Sequence, residues 1–340
     1  MRKLRVAALM LKDFVPPDSI EGLSDKEIAP YKMEYDVTSG LEELGHDVRI
    51  VAVDEKLGDI REALRDQNPH VVFNLLEEFQ GVGTYVPYVL GYLEMIKQPY
   101  TGCNPYGLML THNKAVAKKI LRHHRIRGPE FTVFPRRRKV IKPARLKYPL
   151  FVKSATEHGS IGIAQASVVY DEEKLMDRVS FVHDQLQTDA LVEEYIDGRE
   201  IYVGVIGNKQ LRTFAPWEMH FANLPEGAPR VATSKVKWDQ RYQRELGVAT
   251  RAAELSDDLA RRIHHTCKRV YRVFEQSGYA RLDLRVTEDE KIYVLESNPN
   301  PQLEYGEDFA ESAEACGVSY VELIQRILSL GLNHKAPWRE

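Results

Sequence analysis

Apolar positions along the first hundred residues come in short bursts. Arg5–Met10, Asp47–Val53 and Val71–Leu75 are compact hydrophobic runs, the pattern of parallel strands buried on both faces. Between them lie helix-permissive stretches, Glu34–Leu44 ending at Gly45, and Lys56–Asp66. Strand, helix, strand, helix, strand predicts an open α/β layer. Farther on, Leu108, Leu110, Val116, Ile120 and Leu121 predict one long amphipathic helix over Tyr106–His124, with Arg122–Arg125 at its negative end. From Tyr148 strands dominate: Leu150–Lys153, Ala190–Ile196, and Ile201–Ile206, with Gly207-Asn208 predicting a two-residue turn into Lys209–Phe214. Asp171 caps a predicted helix to about Gln185, and Ser256 another over Asp257–Gln276. Arg281–Leu295 reads as strand, turn and strand, and Val318–Leu330 as a last helix. The predicted class is an α/β layer followed by α+β units, without internal repeat.

Composition narrows this picture. At 340 residues the chain suits two to three domains. The 47 basic and 50 acidic residues leave a net charge of −3, which argues against a dedicated nucleic-acid binder. Cys103, Cys267 and Cys316 lie far apart, so neither a disulfide framework nor a structural zinc site is expected. No apolar run approaches a membrane span, and the stretch after Met1–Arg5 is too short for a secretory signal. A cytoplasmic protein without a membrane partner is the expectation. The basic run Arg136–Lys139 reads as an exposed turn. After Met10 comes Leu11-Lys12-Asp13-Phe14-Val15-Pro16-Pro17, without the Gly-x-Gly-x-x-Gly that a dinucleotide site needs.

Three segments carry candidate chemistry. If residues 280–299 form a hairpin about Asp289-Glu290, Arg281 faces Asn298 and Asp283 faces Glu296, all four on one side of the sheet. Facing carboxylates disfavour each other unless a cation lies between them. Two carboxylates and an amide carbonyl are hard oxygen donors that select Mg²⁺, which completes its shell with phosphates. Secondly, Phe151–Gly162 is an apolar strand ending at Lys153, then a loop with Gly159, Ser160 and Gly162, suited to closing backbone N–H groups over phosphate. It lacks the spacing of a Walker loop or a nucleophile elbow. Thirdly, Leu191–Glu200 places acidic residues and the apolar Tyr195-Ile196 where ribose hydroxyls and an adenine edge can be met.

Together with Leu110–Lys118 and Leu295–Pro301, these segments resemble the ATP-grasp superfamily, specifically the D-alanine–D-alanine ligase family, from Val71 to about Leu330. The resemblance implies an ATP-grasp fold preceded by an open α/β (pre-ATP-grasp) domain. The expected division is a substrate-side domain at 1–105, a central subdomain with the phosphate loop at 106–189, and a C-terminal subdomain with the metal site at 190–340. It implies that Lys114 and Lys153 contact ATP phosphates and that Ser160 closes over the γ-phosphate. Glu193, Tyr195, Ile196 and Leu295 would edge the adenine, with Glu200 at the ribose. Asp283, Glu296 and Asn298 would hold two Mg²⁺, for which Mn²⁺ can substitute, and Arg281 would stabilise the reacting groups. Lys235 falls where the family has another phosphate-contacting lysine, with Lys237 as the alternative. The implied reaction joins a small carboxylate to an amine through an acyl phosphate. A homodimer is the family's implied assembly.

The likeness breaks on the substrate side. Leu11–Met33 lacks the family's Gly-Gly-x-Ser-x-Glu segment, and Tyr85 falls where an acidic Gly-Glu-Asp-Gly segment has its glutamate. Gln302 replaces the glycine of Pro-Gly, and Gly159-Ser160 replaces two serines. Glu77, Glu78, Tyr85 and Gln302 are therefore the substrate-side candidates, with Trp217, Glu218 and His220 behind them. Specificity follows pocket contacts, so the expected substrates are amino-acid-like but not two D-alanines. The competing readings are an authentic D-alanine–D-alanine ligase with an altered pocket and a Mg·ATP-binding protein without ligase activity.

Overall fold

The computed structural model describes residues 3–138 and 141–336, with the backbone alone at 238 and 240. Lys139, the last residue of the basic run, lies outside the described residues, and Arg136–Arg138 are exposed. The apolar bursts of the first hundred residues form β1 (Arg5–Leu11), β2 (Asp47–Val53) and β3 (Val71–Asn74). They make an all-parallel sheet in the order β2-β1-β3. The helix between β1 and β2 spans Lys32–Glu43, and Gly45 follows it at φ 80°, the left-handed stop its sequence position predicts.

β4 (Phe131–Phe134), β5 (Leu150–Ser154), β6 (Val168–Val169) and β7 (Ala190–Glu194) form a second sheet, antiparallel, in the order β4-β7-β5-β6. The third holds β8 (Arg199–Ile206), β9 (Arg212–Thr213), β10 (Trp217–Phe221), β11 (Val248–Ala252), β12 (Tyr279–Val286) and β13 (Ile292–Pro299). Its order is β11-β10-β8-β12-β13, with β9 on β8. The helix Asp257–Val273 buries Leu259, Ile263, Cys267, Val270 and Tyr271 against this sheet. Its apolar positions recur every three or four residues, which is why one face is core. The last helix, Tyr320–Leu332, returns to the first layer, where Leu323, Ile324, Ile327 and Leu328 pack with Val6, Val37 and Leu41. Among the described residues no helix is long and apolar enough to cross a membrane.

Three expectations need correction. The helix expected over Tyr106–His124 is two helices, Pro105–His112 and Lys114–His123. Asn113 breaks it: its backbone is extended, its side chain accepts from the N–H groups of Ala115 and Val116 at 3.1 and 3.0 Å, and Lys114 N donates to Ala155 O at 3.0 Å. Val116, a member of the expected apolar stripe, is exposed. We expect Asn113→Ala to lower unfolding free energy by about 1 kcal/mol in urea titrations, the usual worth of an N-cap.

Gly207-Asn208 is not a two-residue turn either. Ile206 pairs with Arg212, so the loop runs over 207–211, and Asn208 uses its side chain to accept from Gly278 N at 3.0 Å and donate to Leu330 O at 3.1 Å. Finally, the hairpin of β12 and β13 pairs Arg281 with Asn298 and Asp283 with Glu296 as expected, but then Leu284 with Val294. Leu295 is the extra residue of a β-bulge, and the turn occupies 287–291 rather than centring on Asp289-Glu290.

Candidate active site

The second and third sheets enclose a cleft of about 830 Å³, including its open mouth. Its wall contains Lys114, Lys153, Ser160, Glu193, Tyr195, Ile196, Glu200, Asp283, Leu295 and Glu296, ten of the sequence-derived candidates. Phe151, Ile163 and Tyr202 add apolar and aromatic surface, so one part of the cleft is greasy and another charged, as ligand pockets usually are.

The charged part is built on β12 and β13. Arg281, Asp283, Glu296 and Asn298 share one face because side chains alternate along paired strands. Arg281 forks onto Asp283, with Nε donating to Oδ1 at 2.8 Å and an Nη to Oδ2 at 3.0 Å. Asn298 Nδ2 donates to Asp283 Oδ2 at 2.9 Å and to Glu296 Oε1 at 3.3 Å. The amide thus sits where a cation between the carboxylates would sit, and a half-turn presents its oxygen instead. Two carboxylates and one amide oxygen are a donor set that fits Mg²⁺. Burial raises the Asp283 carboxyl against the pull of Arg281. Burial acts on Glu296 in the same direction, but the ammonium groups of Lys114, Lys153 and Lys237 outweigh it and hold that carboxyl well below the usual range.

Opposite this trio stand buried lysines. The break at Asn113 sets Lys114 at the start of a helix, with Lys118 one turn later on the same face. Lys114 Nζ donates to Glu157 O at 2.7 Å and lies 3.5 Å from Glu296. Burial lowers both lysines' pKa. Glu193, only 2% exposed, holds Lys118 at 2.6 Å and Lys153 at 2.8 Å. Its burial would raise the carboxyl, yet the two ammonium groups bring it below the ordinary range. In turn Lys153, though buried, is raised by Glu193 and Glu296. Beside them His158 donates from Nε2 to His112 O at 3.1 Å, leaving Nδ1 to accept from Lys114 at 3.3 Å. Burial and the Lys114 charge push its pKa down to about 3, so the ring is neutral.

The loop after β5 covers the cleft. Ser154 Oγ accepts from Thr156 N and Glu157 N at 3.1 and 2.9 Å, turning the chain out of the strand. Gly159 and Ser160 both take left-handed φ, 64° and 61°, which is easy for glycine and strained for serine. Ser234 ties this loop down, its hydroxyl donating to Ser160 O and its N–H to Ile163 O at 2.9 Å. Ser234 opens the helix Ser234–Trp238, whose three-residue spacing brings Lys237 into the cleft wall. Lys235 is exposed, 5.8 Å over the Tyr242 ring, and is not part of that wall. Of the two lysines left open by the sequence, the structure puts Lys237 in the cleft.

Sequence reasoning assigns no role to Lys118, His158 or Arg285. Arg285 was within reach, since it follows Arg281 and Asp283 in the same alternation. Its guanidinium is buried, donates to Glu200 Oε2 at 2.6 Å and Gly198 O at 2.9 Å, and lies 5.8 Å from the Tyr195 ring. Tyr202 O–H donates to the other Glu200 oxygen at 2.8 Å. The substrate-side candidates lie outside this cleft wall. Tyr85 is exposed beside Tyr88 at 5.9 Å, Gln302 is half-buried, and Glu77 carries a carboxyl raised by burial, Glu304 and Glu78. Glu218 is held by an Arg199 fork at 2.8 and 2.5 Å, and Trp217 is buried.

Comparison with known proteins points one way. An uncharacterized protein of Sinorhizobium fredii is 30% identical over 86% of this chain and 85% of its own length. The D-alanine–D-alanine ligase of Syntrophotalea carbinolica is 32% identical over 71% and 73%, and that of Desulforudis audaxviator 28% over 91% and 95%. Among solved structures, the Bacillus anthracis D-alanine–D-alanine ligase complexed with ATP superposes with TM-score 0.75 at 21% identity, covering 97% of each chain. The Enterococcus faecalis VanG D-Ala:D-Ser ligase does so with TM-score 0.69 at 18% identity, over 97% of this chain and all of that one. These two likenesses show a shared fold. The family model for the C-terminus of D-alanine–D-alanine ligases matches residues 121–329, well over half of the chain, and with that match this protein belongs to the D-alanine–D-alanine ligase family and is an ATP-dependent, carbon–nitrogen bond-forming ligase of ATP-grasp fold.

Proposed function

We propose that the chain uses ATP to join a carboxylate to an amine, on amino-acid-like substrates other than two D-alanines. The observation that carries this reading is the meeting, in one cleft, of Lys114, Lys153 and Lys237 with the oxygen donors Asp283, Glu296 and Asn298. Such a set neutralises a triphosphate and the charge that builds during phosphoryl transfer. Phe151, Ile163, Tyr195, Ile196 and Leu295 supply the apolar walls for an adenine, and Glu200, fixed by Arg285 and Tyr202, the acceptor for ribose hydroxyls. Gly159 and Ser160 offer backbone N–H groups over the phosphates. Asp283, Glu296 and Asn298 would hold Mg²⁺, or Mn²⁺ in its place, which when bound screens the phosphate oxygens. Arg281, oriented by Asp283, points its remaining donors toward the reacting carboxylate. Glu193 braces Lys118 and Lys153 rather than edging the base.

Positioning does most of the work in such chemistry. Tyr85 and Gln302, in place of the family's glutamate and glycine, support a changed substrate pocket. The exposed Tyr88, Met95, Tyr106 and Met109 support a homodimer, which sedimentation will read. Phosphate release screened over paired amino acids and small carboxylates, with product masses, tests the function. ADP formation from D-alanine alone would establish instead the second reading, an authentic D-alanine–D-alanine ligase, which the Syntrophotalea carbinolica relative favours.

The lysines separate cleanly. Lys237→Ala should raise KM for ATP by roughly tenfold or more, the worth of one charged hydrogen bond. Lys235→Ala should stay within about twofold, and initial-rate kinetics compare the two.

A further inference from the structure

The loop after β5 brings His158 to the cleft wall with both ring nitrogens committed. Nε2 lies 3.1 Å from His112 O, and Nδ1 lies 3.3 Å from Lys114 Nζ. A carbonyl oxygen only accepts and an ammonium only donates, so the two partners demand one tautomer, with the proton on Nε2. A doubly protonated ring would turn an N–H toward the ammonium and lose that bond. Neither nitrogen is left to move a proton during a reaction, so what the ring does here is hold its neighbours.

Both neighbours come from the helix break at Asn113. The helix Pro105–His112 stops there, and the last carbonyls of a helix lack partners within it. His112 O takes the N–H of His158 instead, and the two rings pack with centroids 4.6 Å apart. The next helix starts at Lys114, whose N–H donates to Ala155 O at 3.0 Å and whose Nζ donates to Glu157 O at 2.7 Å. Helix ends and loop are thus tied at Ala155, Glu157 and His158. A lysine carries three donors on a flexible four-carbon stem. Glu157 O and His158 Nδ1 take two of them from Lys114 and leave the third for Glu296, 3.5 Å away. Without the ring the ammonium regains freedom that a bound phosphate must then remove.

We propose that His158 is a positioning residue that sets the ammonium of Lys114 for the phosphates of the nucleotide. This rests on the reading of the cleft as a triphosphate site and adds to it a residue that acts through Lys114. A donor fixed in advance needs little reorganisation when negative charge arrives. Loss of the ring therefore falls on the phosphate end of the ligand and spares the base and ribose.

Calorimetry of the full chain with Mg·AMP-PNP, and with adenosine as the phosphate-free reference, tests this. His158→Ala should weaken Mg·AMP-PNP binding by about tenfold, the worth of a hydrogen bond to a charged group, and adenosine binding by less than about twofold. His158→Asn sets an amide oxygen near the place of Nδ1 and should return Mg·AMP-PNP affinity to within about threefold of wild type. In a Lys114→Ala background the His158→Ala change should weaken binding by less than about threefold, because residues acting as one unit are not additive. Unchanged affinity in His158→Ala, equal losses for both ligands, no recovery in His158→Asn, or an undiminished loss in the Lys114→Ala background overturns the proposal. Lys114→Ala alone separates it from the reading beneath it. If that variant weakens Mg·AMP-PNP binding and His158→Ala does not, the triphosphate reading stands and the proposal falls. If Lys114→Ala leaves Mg·AMP-PNP binding unchanged, Lys114 is outside the phosphate site and both fall.

Discussion

Replacing Asp283 by Asn is expected to lower kcat for phosphate release by about two to three orders of magnitude, the range seen when a preorganised electrostatic group is lost. Nucleotide affinity should change by less than about tenfold. The reason lies in what Asp283 does at once: it takes the Arg281 fork on both oxygens, accepts from Asn298, and faces Glu296 across the bulged hairpin. Neutralising it frees Arg281 to rotate and removes one of the two carboxylates that the proposed function assigns to Mg²⁺. The lysines, to which the proposed function gives the ground-state attraction for the triphosphate, remain. Single-turnover phosphate release against calorimetric nucleotide binding separates the two effects. An unchanged kcat removes Asp283 from the chemistry, and parallel losses in kcat and affinity make it a simple binding residue.

What the sequence shows of this site, and what it hides, divides along the range of the interactions. Strand alternation is local, so the pairing of Arg281 with Asn298 and Asp283 with Glu296 was legible in the chain itself. The bulge at Leu295 was not. It compensates a turn closed by Thr287 and Lys291, and the number of turn residues leaves no periodic trace. The helix break at Asn113 had a local signal, an Asn followed by Lys at a cap position, which the uninterrupted apolar stripe outweighed. The Lys237 assignment needed the helix phase from Ser234.

Glu193→Gln should give the largest loss of stability, about 3–5 kcal/mol in urea unfolding without nucleotide, as for a buried ion pair stripped of one partner. The carboxylate lies between Lys118 and Lys153, each nearly as buried as itself. A neutral amide leaves both ammonium groups without their ion-pair partner in the protein interior, with the charge of Glu296 still acting on them. The pH dependence follows from the sign of its shift. Because the folded carboxyl titrates below its unfolded value, its contribution is complete above the ordinary carboxylate range and is lost as pH falls through the folded pKa. The stability difference between wild type and the Glu193→Gln variant should therefore narrow on acidification. Mg·ATP provides a second distinction. If Lys153 contacts the triphosphate, nucleotide supplies part of the missing negative charge and raises Tm more in Glu193→Gln than in wild type. An equal Tm increment in both proteins would confine Glu193 and its lysines to the architecture of the cleft and take Lys153 out of the phosphate site.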